Sequence, residues 1–357
     1  TSIPSGVAAC TFPAVDNKLS LVGTTSSKLA QVSTYDIYGP NWKTHPDGSV
    51  GTQGMYTSSF GVDFWVSNSQ YVEFVTGTLD TNLCSYKLWV DGRPVTDLPV
   101  QTTWTNPSYN HIKLDLGDTA PHRVRLMLCF GGIARIFLQP TGTMWPAKHR
   151  GPRLYVLGDS LTQGTAMNTG RELGTWLPRF ASMIGADDYW NGAISGTGPT
   201  TSTGGFPDFV TRATTEAAPS KGELIITGSF INSMGASQSQ LEAAYNSIFD
   251  VLLAMPSNPY VIAYGSTNPL GGTGGSYATF DGWVKNVCAA RNVAYISSYT
   301  GKVFAPNGAE VADMGQWITT ANTSVIIGGD NAHPTDAGHK VMAARFYEAY
   351  RALLAAN

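Results

Sequence analysis

The sequence predicts an α/β fold preceded by an all-β sandwich of jelly-roll-like type. Three observations carry this reading. Residues 1–140 break into short runs that are β-branched or aromatic and often alternate with polar residues, and no amphipathic helix stands among them. "PTGTMWPAKHRGP", residues 140–152, is rich in Pro and Gly and reads as a linker. After it, short apolar runs alternate with helical patterns, which implies a parallel sheet covered on both faces. A chain of 357 residues is also long for one core, so two domains are expected. The division is a sandwich over 1–140 with an irregular N-terminal arm, a linker over 141–152 and an α/β domain over 153–357.

In the first part, "GVDFWVS", "YVEFVTGT", "YKLWVDGRPV", "HIKLDLGD", "HRVRLMLCF" and "IARIFLQP" are the strands. Arg123 and Arg125 interleave with Val124 and Leu126, the period-2 sign of a strand with one face in water. Asp91-Gly92 marks a turn. The first 55 residues are less regular and read as an arm or long loops. In the second part, "RLYVL", "DDYWNGAI", "ELIITGS", "YVIAYGS" and "VAYISSY" are the strands. Leu241, Ala244, Tyr245, Ile248, Phe249 and Leu252 recur at spacings of three and four, predicting a helix over 238–254. A last helix begins near Asp336, with Val341, Met342, Phe346, Ala349 and Leu353 on one face.

Composition narrows the class. Hydrophobic residues make up 42% and aromatics 11%, ample for packed interiors. Charged residues are only 13%, so the surface relies on neutral polar groups, as in secreted and virion proteins. A net charge of −3 leaves no electrostatic footprint for nucleic acid or anionic membrane. Cys10, Cys84, Cys129 and Cys288 stand far apart with no CxxC pair, which argues against a zinc knuckle or thioredoxin-like site. Cys84 and Cys129 can pair only if their strands are neighbours; buried thiols are the alternative. No apolar run reaches the ~18 residues of a membrane span. No signal peptide is evident, so the chain reads as a mature form or an excised piece. No cluster of His, Cys and carboxylates has metal-ligand spacing, and no cofactor is implied.

The chemistry gathers around "LYVLGDSLTQGT", residues 154–165. In parallel sheets the working residues sit on loops at the carboxyl ends of strands, and Ser160 is on such a loop. A serine hydroxyl is a poor nucleophile until a base takes its proton. Of six histidines, His45, His111 and His122 lie in the β part, His149 lies in the linker, and His333 and His339 remain. His333 sits in "GGDNAHPTDAGH" with Asp330 three residues before it. A D-x-x-H step on a tight loop brings the carboxylate to the imidazole, holding the tautomer whose other nitrogen accepts a proton. Pro334 and Thr335 then start the last helix. Asp159 reads as structural, satisfying loop N–H groups, and His339 as a packed or surface histidine of the helix. Trp190, Trp283 and Trp317 read as core rather than as a sugar site.

"GDSLTQG" followed by "DNAHPTDAGH" near the C-terminus resembles the GDSL, or SGNH, hydrolase superfamily. A GDSL string alone arises by chance about once in 100 chains of this size; the terminal block makes the resemblance specific. Ser160 matches the nucleophile block, Asp330 and His333 the terminal block, and Gly196 in "NGAISGTG" the glycine of the second block. The third block normally reads G-x-N-D; here it runs Gly228-Ser229-Phe230-Ile231-Asn232-Ser233, longer and without the acid, and Asn232 is its best candidate. The resemblance covers about residues 152–357. It implies a flavodoxin-like three-layer α/β/α domain. It also implies an oxyanion hole of the Ser160 and Gly196 N–H groups and the Asn232 amide. Some carbohydrate esterases of this superfamily carry an N-terminal jelly roll.

The expectation is a serine esterase of the carboxylic ester hydrolases. Its substrate would be an acetylated polysaccharide, from which it removes O-acetyl groups through an acyl-enzyme. The setting would be extracellular, either a secreted bacterial enzyme or a phage tail protein on the virion surface. Activity should fall as acid protonates His333. The alternatives are a general short-chain esterase or lipase with an accessory β domain, and a glycan-binding or virion structural module without turnover.

Overall fold

The computed structural model describes residues 6–12, 18–23, 29–31, 38–40, 42–44, 50–52, 59–78, 84–102, 110–129, 131–165, 171–267 and 275–356. Of these, residues up to 150 and 171–173 form one compact unit; 151–165 and 174–356 form a second.

The first unit is an antiparallel sandwich. One sheet runs in the order Asn110–Asp115, Tyr71–Thr78, Gly131–Leu138, Tyr38–Pro40, Leu29–Gln31. The other runs Arg93–Pro94, Ser85–Val90, His122–Cys129, Ser59–Ser67, Thr143–Pro146. Alternation builds the core: Phe60, Val62, Phe64 and Val66 from one sheet are buried with Val72, Phe74, Ile136 and Leu138 from the other. Phe64 meets Phe74 edge-on, ring centroids 6.1 Å apart. Each such side chain contributes about 1.5–3 kcal/mol by leaving water. All four cysteines are buried thiols. Cys129 lies opposite Ser85, next to Cys84, so their strands are indeed neighbours.

Three details depart from the sequence reading. The N-terminal arm supplies Val7–Thr11, which pairs with Gly131–Leu138, and Ser20–Val22, which pairs with Ser59–Ser67. At five and three residues, these strands are too short for a period-2 pattern to mark them. The linker supplies Thr143–Pro146, a further strand on Ser59–Ser67. The third departure concerns the face of His122–Cys129 expected in water. It keeps its alternation, but Arg123 and Arg125 are only 11% and 13% exposed, because both clamp the buried Asp63. Its neighbours on that face, Gly61 and Met127, are buried too. Periodicity reports which residues share a face, not what covers it.

The second unit is a seven-stranded sheet in the order Tyr189–Ala193, Leu154–Gly158, Leu224–Thr227, Tyr260–Tyr264, Ala294–Ile296, Lys302–Phe304, Glu310–Asp313. The first five strands are parallel and the last two antiparallel. In chain order the parallel strands stand 2-1-3-4-5, the flavodoxin-like arrangement. Strands 1, 3 and 4 are apolar throughout or nearly so and lie buried, as a sheet covered on both faces demands.

Helix Gln238–Leu253 forms where predicted and buries the six residues named for it. It opens on a capping box, the Ser237 hydroxyl accepting from the Gln240 N–H while the Gln240 side chain accepts from the Ser237 N–H. Helix Asp336–Ala355 is capped by the Thr335 hydroxyl and buries Met342, Phe346, Ala349 and Leu353. The order 2-1-3 puts the switch point beside the Leu154–Gly158 strand, where neighbouring connections leave in opposite directions.

Candidate active site

Strand Leu154–Gly158 ends at the sheet's switch point, and a four-residue helix, Ser160–Gln163, follows directly. Asp159 caps that helix: its Oδ1 accepts from the Leu161 N–H at 2.9 Å. Gly164 ends it at φ 86°, and its N–H donates to the Ser160 carbonyl. Ser160 is thereby held at the first helical position, 7% exposed. Its hydroxyl makes no hydrogen bond to any described residue, His333 included.

Asp159 is fully buried. Its Oδ2 accepts from the Ser229 hydroxyl at 2.6 Å. Burial pushes its carboxyl up to about 6, against the pull of Ser229, the Leu161 N–H and the charge of His333. Ser229 is the second residue of the divergent third block, and sequence reasoning passed over it. Nothing in a lone serine after a glycine announces a carboxylate partner 70 residues away.

The turn after strand Tyr189–Ala193 carries Gly196 at φ 78°, and a Cβ there would stand 2.9 Å from the Thr203 methyl, so both conformation and space call for glycine. Gln163 ties this turn to the Ser160 helix, its Oε1 accepting from the Ser195 N–H at 2.8 Å and the Ser195 hydroxyl at 2.5 Å. Neither the Ser160 nor the Gly196 N–H donates to another described residue. Asn232, in the short turn Ile231–Ser233, donates through Nδ2 to the Thr197 carbonyl at 2.9 Å. An amide nitrogen carries two N–H groups, so one remains. Asn232 also lines a cavity of about 280 Å³ with Thr200, Thr201, Ser233, Gly235, Ala236 and Gln240, none of them charged or aromatic.

Asp330 and His333 meet on the loop before the last helix. Asp330 Oδ1 accepts from the Ala332 and His333 N–H groups at 3.0 Å each, and Oδ2 lies 2.7 Å from His333 Nδ1. Partial burial opposes ionisation of Asp330, but those N–H donors and the ring outweigh it and hold the carboxyl at about 2. An ionised carboxylate only accepts, so Nδ1 carries a proton, and in the neutral ring Nε2 is then the nitrogen with the lone pair. Gly328 anchors the loop by donating to the His333 carbonyl at 2.8 Å.

His339 is fully buried; its Nδ1 accepts from the Trp176 N–H at 3.3 Å. Burial, with the charges of Arg179 and His333, depresses it to about 3. It is a packed neutral histidine. Trp190 and Trp317 are buried and Trp283 is half-buried. No group of three metal-ligating side chains occurs among the described residues.

The sequence model of the GDSL-like lipase/acylhydrolase family matches residues 156–341. The chain belongs to this family. No curated protein matches it in sequence. Among solved structures, a salicylyl-acyltransferase, SsfX3, from a tetracycline biosynthetic pathway matches at TM-score 0.71 and 13% identity, covering 99% of this chain and 98% of that one. A family two carbohydrate esterase from Cellvibrio japonicus matches at 0.62 and 14%, covering 98% and 97%. Another from Clostridium thermocellum, in complex with cellohexaose, matches at 0.59 and 16%, covering 94% and 99%. At such identities the likeness is one of fold. It extends over the sandwich as well as the family's own α/β domain. No helix among the described residues is long and apolar enough to cross a membrane.

Proposed function

We propose that this GDSL-family protein is a serine esterase that removes O-acetyl groups from a polysaccharide outside the cell. The observation that carries the reading is the Asp330–His333 pair at 2.7 Å, in a chain that also holds Ser160 at the first helical position after strand Leu154–Gly158. Ser160 Oγ attacks the acetyl carbonyl while His333 Nε2 takes its proton, and Asp330 holds Nδ1–H and steadies the imidazolium. The oxyanion sits on the N–H groups of Ser160 and Gly196 and the second N–H of Asn232; one such donor is typically worth roughly 3–4 kcal/mol in the transition state. Collapse returns the proton to the leaving sugar oxygen and leaves an acetyl ester on Ser160. Water then attacks with the same base, acetate departs and Ser160 is regenerated.

Two features support a carbohydrate ester. The cavity that shares Asn232 is lined by hydroxyl, amide and small side chains, which suits a hydroxylated alcohol better than a long acyl chain. Whole-chain likeness to carbohydrate esterases raises the same substrate class by analogy of fold. The test measures acetate released from acetylated glycans beside hydrolysis of p-nitrophenyl esters of rising chain length. Acetate release that vanishes in Ser160→Ala is expected. A strong preference for long acyl chains with glycans untouched would overturn the carbohydrate reading, and full activity in Ser160→Ala would overturn the serine mechanism.

A further inference from the structure

Arg212 has no side-chain exposure at all. It sits at the end of the short helix Phe209–Arg212 and continues into a wider turn, Ala213–Ala217, that presents Glu216 to it. Nε donates to Glu216 Oε1 at 2.8 Å, and Tyr155 Oη donates to Glu216 Oε2 at 3.4 Å. A buried guanidinium is expensive unless each of its donors finds an acceptor. The remaining donors go to three places. Nη1 reaches the Gly158 carbonyl at 3.3 Å and the Thr197 hydroxyl at 3.0 Å, and Nη2 reaches the Gly192 carbonyl.

These acceptors are the two strand ends and the one turn from which two of the three proposed oxyanion donors, the Ser160 and Gly196 N–H groups, hang. Gly158 lies two residues before Ser160, and Thr197 directly follows Gly196. The contacts also close on themselves: the Thr197 hydroxyl donates to the Ile194 carbonyl at 2.7 Å, and the Ile194 N–H donates to the Gly158 carbonyl at 3.0 Å. Gln163 grips the same turn through Ser195. We infer that Arg212 is a positioning residue for ester hydrolysis, setting the spacing between the Ser160 and Gly196 N–H groups by bridging Gly158 to Thr197. The inference rests on the serine-esterase reading above. The fork geometry is essential to it, since an ammonium is a strongly hydrated point charge and cannot span these acceptors in one plane. Oxyanion donors act only when fixed in advance at hydrogen-bond distance from the developing charge.

The test compares Arg212→Lys, Thr197→Val and Thr197→Ser in the full chain. Turnover of p-nitrophenyl acetate is expressed per titrated serine, beside the rate at which diethyl p-nitrophenyl phosphate phosphorylates that serine. Arg212→Lys and Thr197→Val should lower kcat and the phosphorylation rate by about 10-fold or more. KM should stay within about 3-fold, because the loss falls on the transition state. Thr197→Ser, which keeps the hydroxyl, should recover most of the loss. A plug that merely fills space would lower Tm and the titratable fraction but leave kcat per site alone. If both variants keep kcat per site within about 2-fold of the parent, the inference is overturned. Should Arg212→Lys fail to fold, Thr197→Val decides alone. Ser160→Ala separates the two failures: activity surviving it removes the serine reading and this inference together. Activity abolished by it but untouched in the other variants removes this inference only.

Discussion

The sandwich and the α/β unit each bury an aspartate, and they accommodate it differently. In the sandwich, Asp63 receives Nε and Nη2 of Arg123 at 2.9 and 2.6 Å and the same two groups of Arg125 at 2.9 and 2.6 Å. Two guanidiniums on one carboxylate lock a sheet face. In the α/β unit, Asp159 is met by a hydroxyl and an N–H, and its carboxyl rises to about 6. A buried charge tied down by full cations braces a fold. One held by neutral donors has its pKa raised by its burial instead.

The largest test of that contrast is Ser160→Ala. Ester hydrolysis should fall at least about 10³-fold while Tm stays near that of the parent, measured by a continuous p-nitrophenyl acetate assay and calorimetry. Asp330→Asn should lower kcat about 10²–10⁴-fold by releasing the tautomer. Retained activity there would assign the orienting role elsewhere. On the sandwich side the expected pattern is reversed. Asp63→Ala removes the carboxylate that Arg123 and Arg125 share and should cost about 3–5 kcal/mol of stability, read by urea unfolding, with kcat per folded molecule unchanged.

Smaller effects come with pH. His339 is neutral in the folded chain down to about 3, against an ordinary 6.5, so the unfolded chain binds the extra proton first. That contribution to stability is complete above pH 6.5 and is lost as pH falls toward 3. In His339→Asn, which keeps an acceptor for the Trp176 N–H, Tm should decline less steeply across that range. Asp159 runs the other way, its raised carboxyl favouring the folded state as pH falls from about 6 to 3.8. In Asp159→Asn this gain on acidification should disappear, the smallest shift of the series.

Much of this was legible in order along the chain. The alternation of Phe60 to Val66, the three-and-four spacing of Leu241 to Leu252 and the Asp330–His333 step are local patterns, and local patterns dictate faces, helices and turns. The arm strand Val7–Thr11 was not legible, because an edge strand recruited by Gly131–Leu138 needs no periodicity of its own. Arg212 and Glu216 stand four residues apart, a spacing usual for pairs on helix surfaces, and nothing nearby in sequence says that both are fully buried.

The sequence by itself marked the candidates for chemistry: a serine after a strand, a carboxylate three residues before a histidine, and a glycine in the turn after the second strand of the α/β unit. Only the tertiary structure decided what holds them. Ser229 reaches Asp159, Gln163 grips Ser195, and Arg212 joins Gly158 to Thr197 across separations of 70, 32 and up to 54 residues. Such contacts depend on which strands the sheet places side by side. The 2-1-3 strand order is a property of the assembled sheet that no single stretch of chain encodes.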